Sequence, residues 1–508
     1  MKAEIATIQL PRTILETGAD KDIELECNLA DYLPGINRVI RTEANVIPEE
    51  TTINGSKAEV KGKAVFSLLY ESDYKAKLKN EKYTADFIQR FDVGDLPKGE
   101  CFASSSCRCN YVSCKTLNPR RFVLKCRADI HLDIKAMQST AVVSMEDCKG
   151  AFFKSEKHHF NRCAPQIRKD FSLEESFSLE GQEPIAEIIC ATLRFMPSEV
   201  SVSDCSAAIR SNGIFKCLYE AENGDIKLIE RNFPANVTVD DETVYEGCEC
   251  GAEMICGSCE VIKEQDNYGE YRIIVMNCNA TACLSIYERS DIKVPTDMYY
   301  EEYECAAKSE SLGFEELELL PRHKFGIEKH LEPQELPFTE CVDTDGVLYV
   351  TEAVAGESGI KIKGKLLLNV LGKGENGFYT QDFSVPFEEE LPLGSFGCNC
   401  KIKANAILCS VNTELSESGV MKLKATGELC CTAHKKSVLY AITDAEVCKR
   451  EDADDNRKPV IIYYPDPGET AWEIGKRYHT NPQSVMDNNL DVFDKDGVIT
   501  KEHSVLFM

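Results

Sequence analysis

Alternating apolar and polar residues run through most of this chain, from its start to about residue 448. Short runs of β-branched and aromatic residues are separated by Gly, Asp, Asn and Pro, which is the pattern of strands joined by turns. Helical periodicity is weak in this part, and it predicts only short helical pieces near residues 301–318. The sequence therefore predicts a mainly β protein.

Three of the strand patterns contain a central glycine that is followed by a longer alternating run. They span residues 56–70, 206–219 and 359–371. A glycine inside a strand indicates a β-bulge or a close approach of another group to the backbone. The three patterns are alike enough to indicate an internal repeat.

The likeness continues downstream of these strands. Residues 83–87 resemble residues 379–383, and residues 228–234 occupy the corresponding place. We predict that Cys114, Cys259 and Cys409, which lie 145 and 150 residues apart, are equivalent positions. The sequence thus predicts three tandem β-sandwich or barrel-like domains, spanning residues 1–150, 151–311 and 312–448.

The pattern changes after an acidic linker at residues 449–459, which is poor in apolar residues. Residues 460–508 are predicted to form a small α+β module in the order strand, helix, helix, strand. Thr470 and Glu473 have the spacing of a capping box at the start of the first helix. The second helix begins at Asn481 and Pro482, and residues 505–507 can pair with the first strand, at residues 460–464.

Bulk composition narrows the classes of function. A formal net charge of −27 over 508 residues argues against nucleic acid as a partner and against adsorption to anionic lipid. No window reaches the length of an apolar membrane span, and the first residues lack the apolar core of a signal peptide. The expectation is an acidic cytoplasmic protein without a transmembrane segment.

Twenty-five cysteines are the unusual feature of the composition. The densest group is Cys248, Cys250, Cys256 and Cys259, whose four thiolates could enclose a tetrahedral zinc ion, although the spacing is not that of a zinc ribbon. A redox role for Cys256 and Cys259 is a second alternative. The cysteines can also be small apolar residues on strand faces, or form late intermolecular disulfides.

Motifs of catalysis are missing from the sequence. There is no G-x-S-x-G nucleophile elbow and no phosphate-binding G-x-x-x-x-G-K-[ST] loop, and the eight histidines fall in no catalytic pattern. We therefore expect a protein that is not an enzyme and that carries no cofactor.

Residues 468–478, together with Asn481-Pro482 and residues 488–490, resemble a LysM domain. The resemblance implies a binding edge for a glycan or a protein, and residues 501–508 differ from the family's closing segment, which favours a protein. Trp472, the only tryptophan, either packs inside the module or lies on this edge. The edge that the resemblance implies consists of Gly468, Glu469, Thr470, Trp472, Asn488, Asn489 and Leu490.

The repeated part of the chain resembles the SPOCS domain at residues 33–39, 60–70 and 118–121. Tandem SPOCS-like domains followed by a LysM-like module resemble the SipL-type spore coat-assembly proteins. This resemblance implies a scaffold in the mother-cell cytoplasm, at the forespore surface, that binds a coat-morphogenetic ATPase through the LysM module and other coat proteins elsewhere. Two alternatives remain open: a LysM protein that binds N-acetylglucosamine in peptidoglycan, and a metal-binding or thiol-redox protein.

Overall fold

The computed structural model describes residues 3–97, 99–146, 148, 150–163, 166–332, 338–416, 420–449, 462–466, 468–500 and 506–507. Strands account for 76 % of the structure and helices for 3 %, so the prediction of a mainly β chain is confirmed. In these ranges the strands form seven antiparallel sheets, and six of the sheets fall into three successive pairs.

The first pair of sheets uses six strands, which we call the first set. One sheet has the order β1-β6-β5 and the other the order β2-β3-β4. Side chains from both sheets meet in one core, in which Phe66, Tyr70 and Phe122 are fully buried. The strands are β1 (Ile5–Asn28), β2 (Ile36–Asn54), β3 (Lys57–Ser72), β4 (Leu78–Asp92), β5 (Gly99–Asn118) and β6 (Arg121–Val143).

The second set repeats this order with two of its strands interrupted. The strands are β7 (Ala151–Cys163), β8 (Ile167–Ser178), β9 (Ile185–Phe195), β10 (Glu199–Ser203), β11 (Ser206–Ala221), β12 (Ile226–Asp240), β13 (Glu249–Gln265) and β14 (Tyr271–Tyr300). β7 and β8 both pair with β14, opposite β13, as β1 pairs with β6 opposite β5. β9 and β10 both pair with β11, in the place that β2 has in the first set.

The third set has the same plan. Its strands are β15 (Tyr303–Leu319), β16 (His323–Leu331), β17 (Glu340–Ala355), β18 (Ile360–Gly374), β19 (Gly377–Leu391), β20 (Lys401–Leu415) and β21 (Met421–Lys449). β15 and β16 pair with β21 opposite β20, and β17, β18 and β19 form the second sheet. The predicted boundary between residues 311 and 312 falls inside β15.

The helical pieces predicted near residues 301–318 are not present, because this segment forms most of β15. Glutamate, which is frequent here, favours helices. The strand nevertheless pairs with β21 over its whole length, from Tyr303 opposite Lys449 to Leu319 opposite Thr432. Backbone hydrogen bonds to a long neighbouring strand therefore outweigh the local preference.

The central glycines of the three strand patterns lie at close approaches, as predicted. Gly62, Gly213 and Gly364 each face a phenylalanine on the next strand, which is Phe87, Phe233 or Phe387. A Cβ added to any of the three glycines would lie less than 3.0 Å from that phenylalanine ring. Glycine is needed at these positions because the ring occupies the space of its missing side chain.

These pairings correct two of the equivalences predicted from sequence. Phe87 corresponds to Phe387, so residues 83–87 align with residues 383–387 and not with residues 379–383. Cys409 is itself the bulge residue of its strand, whereas Cys259 and Cys114 follow the bulges of theirs. The three cysteines are therefore not equivalent, because differences in hairpin length shift the spacing that the sequence suggests.

The three sets close into a ring. β4 contacts β9, β12 contacts β17 and β19 contacts β2, so that the strand in the position of β4 in each set meets the strand in the position of β2 in the next set. At the centre, the bulge residues Ile40, Ile189 and Val342 share one apolar cluster, which also contains Leu69, Leu218 and Leu371. The corresponding bulge residue of each set thus meets the other two at the centre, as around a threefold axis.

A buried ion pair breaks this symmetry beside the central cluster. Arg41 Nη1 donates to Asp343 Oδ2 at 3.0 Å, and Lys216 Nζ lies 3.5 Å from Asp343 Oδ1. Burial raises the pKa of Asp343, but the charges of Arg41 and Lys216 outweigh it and hold the pKa below its ordinary value. The three residues come one from each set, so this group of three charges links all three sets.

The C-terminal module contains α1 (Ala471–Tyr478) and α2 (Pro482–Asp487), and its strands β22 (Ile462–Tyr463) and β23 (Leu506–Phe507) pair antiparallel. The capping box is present, since Thr470 Oγ1 accepts from the Glu473 amide and Glu473 accepts from the Thr470 amide. Ile474, Val485 and Ile499 make a small core. The predicted linker spans residues 449–459. All of it except Lys449 lies outside the described residues, as do residues 460, 461 and 501–505.

Among the described residues, no helix has the length and apolar character needed to cross a membrane.

Candidate binding edge of the C-terminal module

Part of the edge predicted from sequence serves the module's own structure. The Glu469 carboxylate accepts from the Tyr463 hydroxyl at 2.7 Å and pairs with Arg477 at 2.8 Å, and its side chain is only 9 % exposed. Thr470 is occupied as the N-cap of α1. Gly468 has φ +87°, a left-handed conformation that favours glycine in the turn before the helix. These three residues shape the module and leave little free for a partner.

Trp472 packs against the second set and not inside the module. Its Nε1 donates to Asp297 Oδ2 at 2.8 Å, and its ring meets Tyr299 edge-on, with centroids 5.0 Å apart. The Lys476 ammonium, one helical turn further along α1, lies 2.6 Å from Asp297 Oδ1. Both Asp297 and Tyr299 belong to β14. One face of α1 is therefore docked onto that strand.

Tyr299 and Tyr300 complete this docking contact. The Tyr299 hydroxyl donates to the Thr480 carbonyl at 2.8 Å, and His479 Nδ1 donates to the Tyr300 carbonyl at 2.9 Å. A Cβ added to Gly475 would lie 2.5 Å from the Tyr299 hydroxyl oxygen. The glycine inside α1 therefore allows the tyrosine to reach the helix end, which offsets the lower helix propensity of glycine.

The electrostatics of Asp297 favour the docked arrangement. Burial raises the pKa of this carboxyl, but the hydrogen bonds from Lys476 and Trp472 outweigh burial and bring the pKa below its ordinary value of 3.8. Asp297 is consequently ionised at neutral pH and accepts both hydrogen bonds as a charged group.

The second part of the predicted edge lies after α2. Asn488 caps the helix C-terminus and is exposed, and Leu490 is 81 % exposed. Asn489 is buried, and its side-chain amide donates to the Val485 carbonyl at 2.7 Å. The seven residues thus divide three ways: Gly468, Glu469, Thr470 and Asn489 support the fold, Trp472 contacts β14, and Asn488 with Leu490 faces solvent.

The sequence did not identify Asp297 and Tyr299 as part of this region. The register shift between Pro295 and Asp297 is a bulge, and a proline inside a strand pattern could have indicated it. No local pattern indicates that the bulge meets a helix 175 residues away.

The four cysteines predicted as metal ligands do not converge. Cys248 and Cys250 form one pair, with sulfur atoms 3.6 Å apart, and Cys256 lies 3.8 Å from Cys278 of the neighbouring strand. Cys259 faces Cys278 across the ladder. Within the ranges that the structure describes, no group of three or more His, Cys, Asp or Glu side chains could hold a metal ion.

A cleft of about 560 Å³ lies between the first and second sets. Its walls carry charges of both signs, from Glu49, Lys63, Arg168 and Asp170. Lys63 is paired with Glu49 at 2.6 Å, and Arg168 donates to the Pro48 carbonyl at 3.1 Å. Its cationic side chains are thus engaged within the protein.

Comparison of the chain with protein-family models, with curated proteins and with solved structures gave no significant match.

Proposed function

We propose that this chain is a non-enzymatic adaptor in spore coat morphogenesis. In this proposal the three strand sets are tandem SPOCS-like domains, and residues 460–508 are a LysM-like domain. The module docks to the coat-morphogenetic ATPase at the forespore surface, and the β sets bind other coat components from the mother-cell cytoplasm. The proposal rests on the sequence resemblances and on the geometry of the module.

The observation that carries the proposal is the exposure of Leu490. A leucine that is 81 % exposed next to an exposed asparagine, at the end of α2, is a surface on which a partner can bury apolar area. The neighbouring face of α1 is already covered by β14. The docked module therefore presents this one flank outward, at a fixed orientation to the ring.

The ring supports the role of a scaffold. Three sets joined by a shared apolar centre and by a buried ion pair give a large surface of fixed shape. Several weak contacts on one such body gain affinity together, because after the first contact the others form intramolecularly.

The test is a binding measurement with the full-length chain and two baits, the purified coat-morphogenetic ATPase of the same organism and insoluble peptidoglycan. Leu490→Ala should weaken binding to the ATPase by about tenfold or more, since burying a leucine side chain contributes roughly 1.5–3 kcal/mol. Leu367→Ala is the matched control, because Leu367 is also exposed, at 41 %, but lies on β18.

The outcomes separate the proposals. Binding to the ATPase that Leu490→Ala weakens and Leu367→Ala does not would support the adaptor. Retention on peptidoglycan alone would replace it with the glycan-binding alternative. Equal loss of binding in both variants, or no binding to either bait, would show that Asn488 and Leu490 are not the binding surface.

A further inference from the structure

Two pairs of thiols lie at equivalent places in the first and second sets. In the second set, Cys256 of β13 and Cys278 of β14 have sulfur atoms 3.8 Å apart. In the first set, Cys109 of β5 faces Ala128 and Cys126 of β6 faces Val112, so the two cysteines have the same places on neighbouring strands. Neither pair is adjacent in sequence, so the fold brings each together.

The same β-bulge positions both pairs. The register shifts just after Cys109 and just after Cys256, where Asn110 and Gly257 are the extra residues. Each cysteine is therefore diagonal to its partner and not directly opposite. A bulge increases the local twist, which brings diagonal side chains on one face closer together.

This geometry is close to that of a disulfide. Sulfur atoms in contact at 3.8 Å need to approach to about 2.05 Å, a change that side-chain rotation can supply when the two Cβ atoms are near each other. Neighbouring antiparallel strands already hold the backbones at a fixed spacing.

The two members of each pair have different environments. Cys126 and Cys278 are buried, with 0 % and 2 % exposure, whereas Cys109 and Cys256 are half-buried on edge strands. The hydrogen bond from the partner thiol lowers the pKa of Cys109 and of Cys256, against the effect of burial. The more accessible thiol of each pair is thus the one that ionises first, as the attacking thiol of a redox pair must.

We propose that Cys109–Cys126 and Cys256–Cys278 are intramolecular redox sites, which form disulfides when a peroxide oxidises the protein. The thiolate of Cys256 attacks the peroxide, the O–O bond breaks, and a sulfenic acid and hydroxide form. The hydroxide takes up the proton that the Cys256 thiol lost on ionising and leaves as water. The Cys278 thiol then attacks that sulfur, the S–O bond breaks, and a second water molecule leaves. Two thiols and one hydrogen peroxide therefore become one disulfide and two water molecules, and the first set reacts in the same way.

The third set is an internal control. Leu408 and Ala425 occupy the positions of the two cysteines, on either side of the bulge at Cys409. The same local fold is present there without the pair, so oxidation should leave this set without a bridge across β20 and β21.

The experiment uses the full-length chain, reduced and handled without oxygen, then treated with hydrogen peroxide. Free thiols are alkylated at intervals, and bridged peptides are identified by mass spectrometry. The two disulfides should form at least about tenfold faster than the exposed Cys205, Cys398 and Cys448 are oxidised, and dithiothreitol should reverse them.

Variants locate the attacking thiol. In Cys278→Ala, the sulfenic acid on Cys256 should persist and react with dimedone, while the Cys109–Cys126 bridge still forms in the same molecule and reports that the chain is folded. The peptide map of the wild-type protein is enough to overturn the proposal. It would do so if both pairs could still be alkylated while exposed cysteines were oxidised, or if Cys278 formed a disulfide with Cys259.

Discussion

Asp297→Ala removes the acceptor that holds the C-terminal module on β14. In the wild type this carboxylate accepts from Trp472 at 2.8 Å and from Lys476 at 2.6 Å. The substitution leaves the half-buried indole N–H without its partner and removes the charge that attracts the lysine. We expect the module to leave the strand while its own fold, held by α1 and α2, persists.

The expected size of the effect follows from the two contacts. A hydrogen bond to a charged group contributes about 1.5–3 kcal/mol. The ion pair is partly exposed, at 47 % for Lys476 and 31 % for Asp297, so that solvent screening limits it to about 1 kcal/mol or less. Together they make docking roughly 10- to 700-fold less favourable in the variant, at about 1.4 kcal/mol for each factor of ten.

Trp472 reports this change directly, because it is the only tryptophan of the chain. Undocking exposes its ring to water, so the fluorescence maximum should shift to longer wavelength and acrylamide should quench it more strongly. Asp291→Ala is the matched control, since Asp291 is a carboxylate of the same strand that pairs with His159, at 2.5 Å, and not with the module. A wild-type spectrum and wild-type quenching in Asp297→Ala would refute this account of the docking contact.

Three further predictions concern the ring. Gly213→Ala should destabilise the protein to urea by about 1–3 kcal/mol, because the new Cβ meets a phenylalanine ring, whereas Gly313→Ala, with open space around its Cβ, should not. Arg41→Met should lower the free energy of unfolding by about 3 kcal/mol, as it leaves Asp343 buried with one cation fewer, and Asp343→Leu in the same chain should recover part of the loss. Burial raises the pKa of Glu315, but hydrogen bonds from the third and first sets outweigh it and lower the pKa to about 2, so the stability from this carboxylate is complete above pH 4.5 and is lost as the pH falls to about 2. Hydrogen exchange in β1 and β15 should rise over that range in the wild type, and Glu315→Gln should lack this step.

Local signals predicted the parts of the fold that local physics determines. Alternation of apolar and polar residues predicts strands, and the close approach at Gly213 follows from a glycine inside such a pattern. The capping box at Thr470 and Glu473 is equally local, because its two hydrogen bonds join residues three apart. The strand Tyr303–Leu319 was missed for the opposite reason: its conformation depends on pairing with β21, more than one hundred residues away.

The arrangement of the sets and the docking site could not be predicted in this way. Trp472 and Asp297 are 175 residues apart, and neither stands in a pattern that identifies the other. The ring depends on Ile40, Ile189 and Val342, which the bulges turn to the centre. A single sequence contains no signal for such bulges, because the same apolar residue fits a regular strand equally well.

The three sets share one architecture, so differences at equivalent positions separate what the fold needs from what each set adds. The glycine that faces a phenylalanine occurs in all three sets, because the side chain of any other residue would clash with that ring. The diagonal thiols occur in two sets, and the third has Leu408 and Ala425 at these positions, both buried in its core. The fold therefore tolerates either solution, and packing alone does not require cysteine at these positions. Disulfide formation at these positions would consequently change the first two sets and leave the third set unchanged.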